Sequence, residues 1–146
     1  MDWRLTSSNV ELDWNCRGMN VIDIQLELDK LLFLENRSPN STSEAEDAAF
    51  ARLGSTSDGD IFLGGFSGQS AWEKHPNGNE IVQVVDGETL FDIIENGKTS
   101  RHTLRKGQLV VVTAGCWHRF TSMTGVTLMT VTPLPTETSD KDDPTQ

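Results

Sequence analysis

Three side chains capable of acid–base or metal chemistry crowd the stretch Trp72–Gly87, WEKHPNGNEIVQVVDG: Glu73, His75 and Glu80. Ala71–His75 runs into Pro76-Asn77-Gly78-Asn79, a cluster of turn formers, after which Glu80–Val85 resumes as an apolar, β-branched run. Side chains alternate across a strand, so Glu73 and His75 share one face, and Glu80 shares its face with Val82 and Val84. Two carboxylates and an imidazole facing one apolar interior are costly to bury unless a cation neutralises them, which makes a metal site the first expectation. A further candidate ligand stands downstream. Gly107–Gly115 reads as a strand between two glycine turns, and His118 opens the strand that follows.

These residues resemble the motifs of the cupin family. Glu73-x-His75-x4-Glu80-x6-Gly87 follows the spacing of the family's first motif, with Glu73 where a first ligand histidine is usual. Gly107-x5-Thr113-x-Gly115-x2-His118 follows the second, with Thr113 in place of a proline and Ser122 in place of an asparagine. The resemblance implies an all-β antiparallel jelly-roll barrel and a divalent metal held by His75, Glu80 and His118, with Glu73 as a fourth ligand or a nearby base. Imidazole and carboxylate donors suit Fe, Mn, Ni, Co or Zn alike. Dioxygenases, isomerases or epimerases, lyases and decarboxylating enzymes all fall within what the resemblance implies. The expectation is a metal-dependent enzyme, of dioxygenase or isomerase type, acting on a small oxygenated or carbonyl-bearing metabolite. Glu73 and Glu80 are then the candidate bases, and Val82, Val84 and Phe120 the candidate pocket walls. The chain has no tyrosine, so a phenolate base is not on offer. The alternatives are a non-catalytic module binding a sugar or small effector, and a metal-free barrel.

The elements that must position these residues are short strands joined by tight turns. Eight strand-length runs are expected between Asp60 and Thr132, with Asp86-Gly87 and Asn96-Gly97 as hairpin turns and Gly64–Gly68 as a turn. Residues 1–59 read as an N-terminal extension packing on a barrel core of residues 60–132. Within the extension, a strand is expected from Val21 with a helical turn near Asp29–Leu32. A short helix over Glu44–Leu53 should follow, introduced by the capping-box pattern Ser43-Glu-Ala-Glu46. Trp3 and Trp14 would cover a barrel edge or a subunit contact. Residues 133–146, acidic and proline-containing, read as a tail without fixed structure.

The 146 residues suit one domain, and the formal charge of −10 disfavours nucleic-acid and anionic-membrane partners. No apolar run is long enough for a membrane span, and the N-terminus lacks the basic and apolar regions of a signal peptide. Cys16 and Cys116 form no CxxC pair, which fits a reducing, cytoplasmic setting. His102 lies among charged residues and reads as solvated. With the ligand face turned inward, Trp72, Ile81, Val85 and Trp117 face outward, more apolar surface than a solvated sheet should show, and a homodimer is expected.

Overall fold

The computed structural model describes residues 18–146, so Trp3, Trp14 and Cys16 lie outside the described residues. The elements are α1 (Ile24–Leu28), β1 (Leu34–Arg37), α2 (Ser43–Ala49), β2 (Phe50–Ser55), β3 (Gly59–Gln69) and β4 (Trp72–Lys74), followed by β5 (Glu80–Glu95), β6 (Lys98–Arg105), β7 (Leu109–Val112), β8 (His118–Pro133) and β9 (Glu137–Ser139). The nine strands form one curled sheet. β8 runs through its middle, pairing with β3, β4 and β5, while β6 and β7 both pair with β5. The class is the expected all-β barrel with short N-terminal helices; all pairings are antiparallel except β1 on β3.

Two of the expected turns, Asp86-Gly87 and Gly64–Gly68, are absent because the strands pass straight through them. Asp86-Gly87 lies inside β5, a 16-residue strand, and Gly125 lies inside the equally long β8. Gly87 and Gly125 take φ of +78° and +106°, and the register between β5 and β8 slips at Val84/Asp86 and Gly87/Leu90. These are bulges, which bend the β5–β8 ribbon around the core. A Cβ on Gly87 would collide with the carbonyl of Gly125, so the two chains touch backbone to backbone at the bend. Asn96-Gly97 is the expected hairpin, with φ of +51° and +72°. The glycine run 64–68, expected as a turn, is interior to β3. The absence of a side chain at Gly64 and at Gly68 admits the Phe50 ring against the first and the β1 backbone against the second.

The N-terminal segment differs from expectation in a way that reaches the site. Asp23 caps α1, its Oδ1 accepting from the Leu26 N–H at 3.0 Å, so the chain turns helical where a strand was expected. Thr42 rather than Ser43 caps α2, accepting from the Ala45 N–H at 3.2 Å. Glu46 therefore does not close a capping box and binds Arg37 instead, at 2.8 Å through two hydrogen bonds. The helix ends at Ala49, because Phe50–Ser55 pairs with β3, a tertiary contact that overrides local helix preference. β1 and β2 are thus strands of the sheet itself. At the other end, Glu137–Ser139 pairs with β4, where a tail without structure was expected.

The core comprises Phe66, Val82, Val84, Phe91, Ile93, Val112, Phe120, Val126 and Leu128, supplied by β3, β5, β7 and β8. Each fully buried side chain of this size contributes about 1.5–3 kcal/mol. Beneath the outer surface, Asp92 is buried and accepts from Arg101 at 2.6 and 2.9 Å and from Arg119 at 3.1 Å. The Arg101 hydrogen bonds hold its carboxyl below the usual range against the opposing effect of burial, with Arg119 adding to them. A carboxyl depressed on folding contributes stability that is complete above its unfolded pKa of about 3.9 and fades as pH falls through the lower folded value. Asp92→Asn should therefore lower stability by about 2 kcal/mol at neutral pH. Denaturant melts of the two proteins should converge as the pH is lowered below about 4.

Candidate metal centre

Strand alternation and two stitched loops bring the chemistry together. Glu73 on β4 sits directly opposite His118 on β8. The loop before His118 is tied to the β4–β5 loop: the Gly115 N–H donates to the His75 carbonyl at 3.0 Å, and the Ala114 N–H donates to Asn79 Oδ1 at 2.9 Å. Glu80 opens β5, facing inward with Val82 and Val84. His75, Glu80 and His118 are all buried, His118 completely.

At the centre, Glu80 Oε2 lies 3.1 Å from His75 Nε2 and 3.0 Å from His118 Nε2. None of these three buried atoms is satisfied by a properly aligned hydrogen bond. The donor atoms of Glu73, His75 and His118 lie within 4.8 Å of one another. His118 Nδ1 is 3.0 Å from the Cys116 carbonyl, which can only accept, so Nδ1 carries a proton there. In a neutral ring Nε2 is then a bare lone pair aimed at a carboxylate oxygen, an arrangement that calls for a positive charge between them. His75 Nδ1 is held by Thr136 Oγ1 at 3.1 Å, and Glu80 Oε1 accepts from Thr132 at 2.7 Å. Outer hydrogen bonds of this kind fix imidazole and carboxylate ligands in place. The residues present therefore fit a divalent cation.

The electrostatics agree with that geometry. Burial alone would raise the Glu80 carboxyl, but the adjoining His118 and His75 imidazoles, cationic when protonated, outweigh it and hold the group at about 2. Burial likewise opposes the charged form of His118, yet Glu80 raises its pKa above the ordinary value. Glu73 is the contrast: burial, and then the nearby Glu80 charge, push its pKa up, with Arg37 only partly offsetting them.

Glu73 and Glu80 line a cavity of about 230 Å3 together with Phe50, Phe62, Phe66 and Phe120. Phe120 is where the sequence placed it. Val82 and Val84 are not in the wall: both are fully buried in the core, and their cross-strand partners Thr130 and Leu128 face the cavity instead. Arg37 and Thr136 also line it and were missed. Arg37 ends β1 inside the polar stretch Glu35–Thr42, and Thr136 belongs to the acidic tail. Neither has a periodic or motif context that would mark it. Cys116 serves the centre through its carbonyl, while His102 is exposed and remote from it.

The outward apolar set is mostly covered. Trp72 is buried, its Nε1 donating to the Asp142 carbonyl at 3.2 Å, with Arg119 stacked 4.4 Å above its ring. Lys74 lies 4.7 Å over the Trp117 ring. Ile81 remains exposed, beside Val111 and near Leu109. No helix of the described residues is long and apolar enough to cross a membrane.

A family model described as a cupin domain matches residues 64–132. No curated protein matches the chain. Among solved structures it is similar to a cupin-2 domain containing protein from Shewanella frigidimarina NCIMB 400, at 18% identity and a TM-score of 0.56 over 78% of this chain and 95% of that one. It is also similar to hydroquinone 1,2-dioxygenase from Sphingomonas sp. TTNP3 with 4-hydroxybenzoate bound, at 14% identity and a TM-score of 0.51 over 66% and 70%. A third is a cupin superfamily protein from Desulfitobacterium hafniense DCB-2, at 15% identity and 0.51 over 59% and 76%. At such identities the likeness is one of fold.

Proposed function

The chain belongs to the cupin superfamily, and on that premise we propose that it is a metal-dependent enzyme of dioxygenase or isomerase type acting on a small oxygenated or carbonyl-bearing metabolite. The observation that carries this reading is the convergence of His75 Nε2, His118 Nε2 and Glu80 Oε2, all buried and unsatisfied, beside an apolar-walled cavity. A structural site is commonly closed and sulfur-rich, whereas this donor set is sulfur-free and adjoins space for a small molecule. When bound, the metal would act as a Lewis acid toward substrate oxygens. Thr136 and the Cys116 carbonyl hold the two imidazoles in orientation, and Thr132 holds Glu80. Glu73, whose pKa is raised by burial and by Glu80, would complete the ligand set or, left uncoordinated, would accept and return a proton at its carboxyl oxygen. The phenyl walls exclude water and favour a compact, partly apolar substrate over a polysaccharide.

The test reconstitutes the protein with Fe, Mn, Ni or Zn and screens β-diketones, hydroxy acids, keto sugars and catechols with and without oxygen. Oxygen consumption selects a dioxygenase, and turnover without oxygen selects an isomerase or lyase. Tight binding without turnover under every metal would contradict the enzymatic reading and leave a binding module.

The homodimer belongs to the same proposal, through the face formed by Ile81, Leu109 and Val111. Light scattering at micromolar concentration should give about twice the 16.2 kDa chain mass. A monomer at that concentration would remove it.

A further inference from the structure

We propose that Arg37 anchors a carboxylate, and that the cavity takes a small aromatic monocarboxylate whose far end reaches the His75–Glu80–His118 cluster. The far end rests on the metal reading above; the Arg37 end does not. The Arg37 side chain is only 13% exposed, and its Cζ is stacked 4.8 Å from the Phe50 ring centroid and 4.7 Å from that of Phe66. Glu46 takes the Nε proton and one Nη2 proton, at 2.8 Å each. A guanidinium has five N–H donors, so three remain, and among the described residues they have no protein acceptor. Clamped by Glu46 and flanked by two rings whose centroids are 6.1 Å apart, the Arg37 side chain is fixed in the lining of the enclosure that also holds Glu73 and Glu80. A desolvated guanidinium with spare donors matches a planar oxyanion.

The rest of the enclosure narrows the class. An apolar cavity of about 150 Å3 accepts benzene, so about 230 Å3 admits one ring with a carboxylate and little more. Phe50, Phe62, Phe66 and Phe120 supply the matching faces and edges. Asp47, exposed where α2 meets the cavity, repels a second anionic group, which favours a monoacid.

The test titrates benzoate and its neutral counterpart benzamide by calorimetry into wild type, Arg37→Met, Arg37→Lys and Glu46→Gln. Each protein is tested metal-loaded and chelated, with metal content and melting temperature measured in parallel. Wild type should prefer benzoate by about tenfold or more. Arg37→Met should erase the preference, Arg37→Lys should restore part of it, and Glu46→Gln, which frees more of the guanidinium, should keep or enlarge it. If Arg37 merely latched α2 to the sheet, Arg37→Met and Glu46→Gln would act alike, which would overturn the proposal. Equal binding of acid and amide by wild type, or no binding of either, would also overturn it. Should Arg37→Met fail to fold, wild type and Glu46→Gln still decide the matter. A benzoate preference in protein that never takes up metal would overturn the metal reading and leave the Arg37 anchor standing. Metal uptake without the preference would do the reverse.

Discussion

Replacing His118 by alanine is expected to lower affinity for divalent metal by more than roughly a hundredfold, since loss of a mere outer partner of a ligand already costs about 10–100-fold. His118 is the one donor that β8 supplies; Glu73, His75 and Glu80 come from β4, β5 and the loop between them. Without it the remaining set lacks the imidazole donor from the strand paired with Glu73. The same change acts on the metal-free protein through Glu80. In the wild type Glu80 is held at about 2 by the adjoining His118 and His75 imidazoles, cationic when protonated, which overcome its burial. A depressed carboxylate contributes stability above its unfolded pKa of about 4.3 and loses it as pH falls through the folded value. With His118 gone the folded value rises, the contribution shrinks, and acid unfolding should begin at higher pH. Calorimetric titration with Zn or Mn and acid-unfolding curves by circular dichroism check both halves. In the wild type, metal displaces the proton that Glu80 helps His118 retain, so the heat of binding should vary with the ionisation enthalpy of the buffer.

Gly87→Ala should be strongly damaging although it lies outside the site, lowering stability by about 3 kcal/mol. Gly87 has φ +78°, which costs an L-residue ~1–2 kcal/mol, and its new Cβ would meet the Gly125 carbonyl, adding an overpacking penalty of ~1–3 kcal/mol. For a chain of this size that corresponds to a fall in melting temperature of roughly 10 °C. If Gly87 were an ordinary turn residue at a strand end, alanine would cost well under half as much. The change also tests whether the β5–β8 bend sets the ligand geometry. A folded Gly87→Ala protein should bind metal more weakly, because Glu80 and His118 lie on the two ribbons that the bulge brings together.

The site was readable where local rules decide it. His75 directly follows β4, Glu80 and His118 open β5 and β8, and alternation of side chains tells which way each points without knowledge of the partner strand. Arg37, Glu46 and Thr136 were not readable in this way. They reach the cavity from two segments, one before β2 and one after β8, whose positions depend on pairing with β3 and β4. Glu46 carried a misleading local signal, since its capping-box spacing from Ser43 is real, but Thr42 captures the cap and Arg37 captures the carboxylate. The strand count failed for a related reason. Asp-Gly ends a strand when no long partner lies alongside and makes a bulge when one does, and only the fold reveals that β8 continues past Gly87. The outward face was read correctly at Ile81 but not at Trp72, because the segment that covers Trp72 was expected to lack structure.

Elemental analysis of protein purified without added metal or chelator tests the central reading most directly, with His118→Ala run beside it. About one divalent metal ion per wild-type chain is expected, and almost none in His118→Ala that retains the wild-type circular dichroism spectrum. Wild-type protein that stays metal-free even after incubation with excess Fe, Mn, Ni, Co and Zn, or a His118→Ala variant that keeps full occupancy, would contradict it.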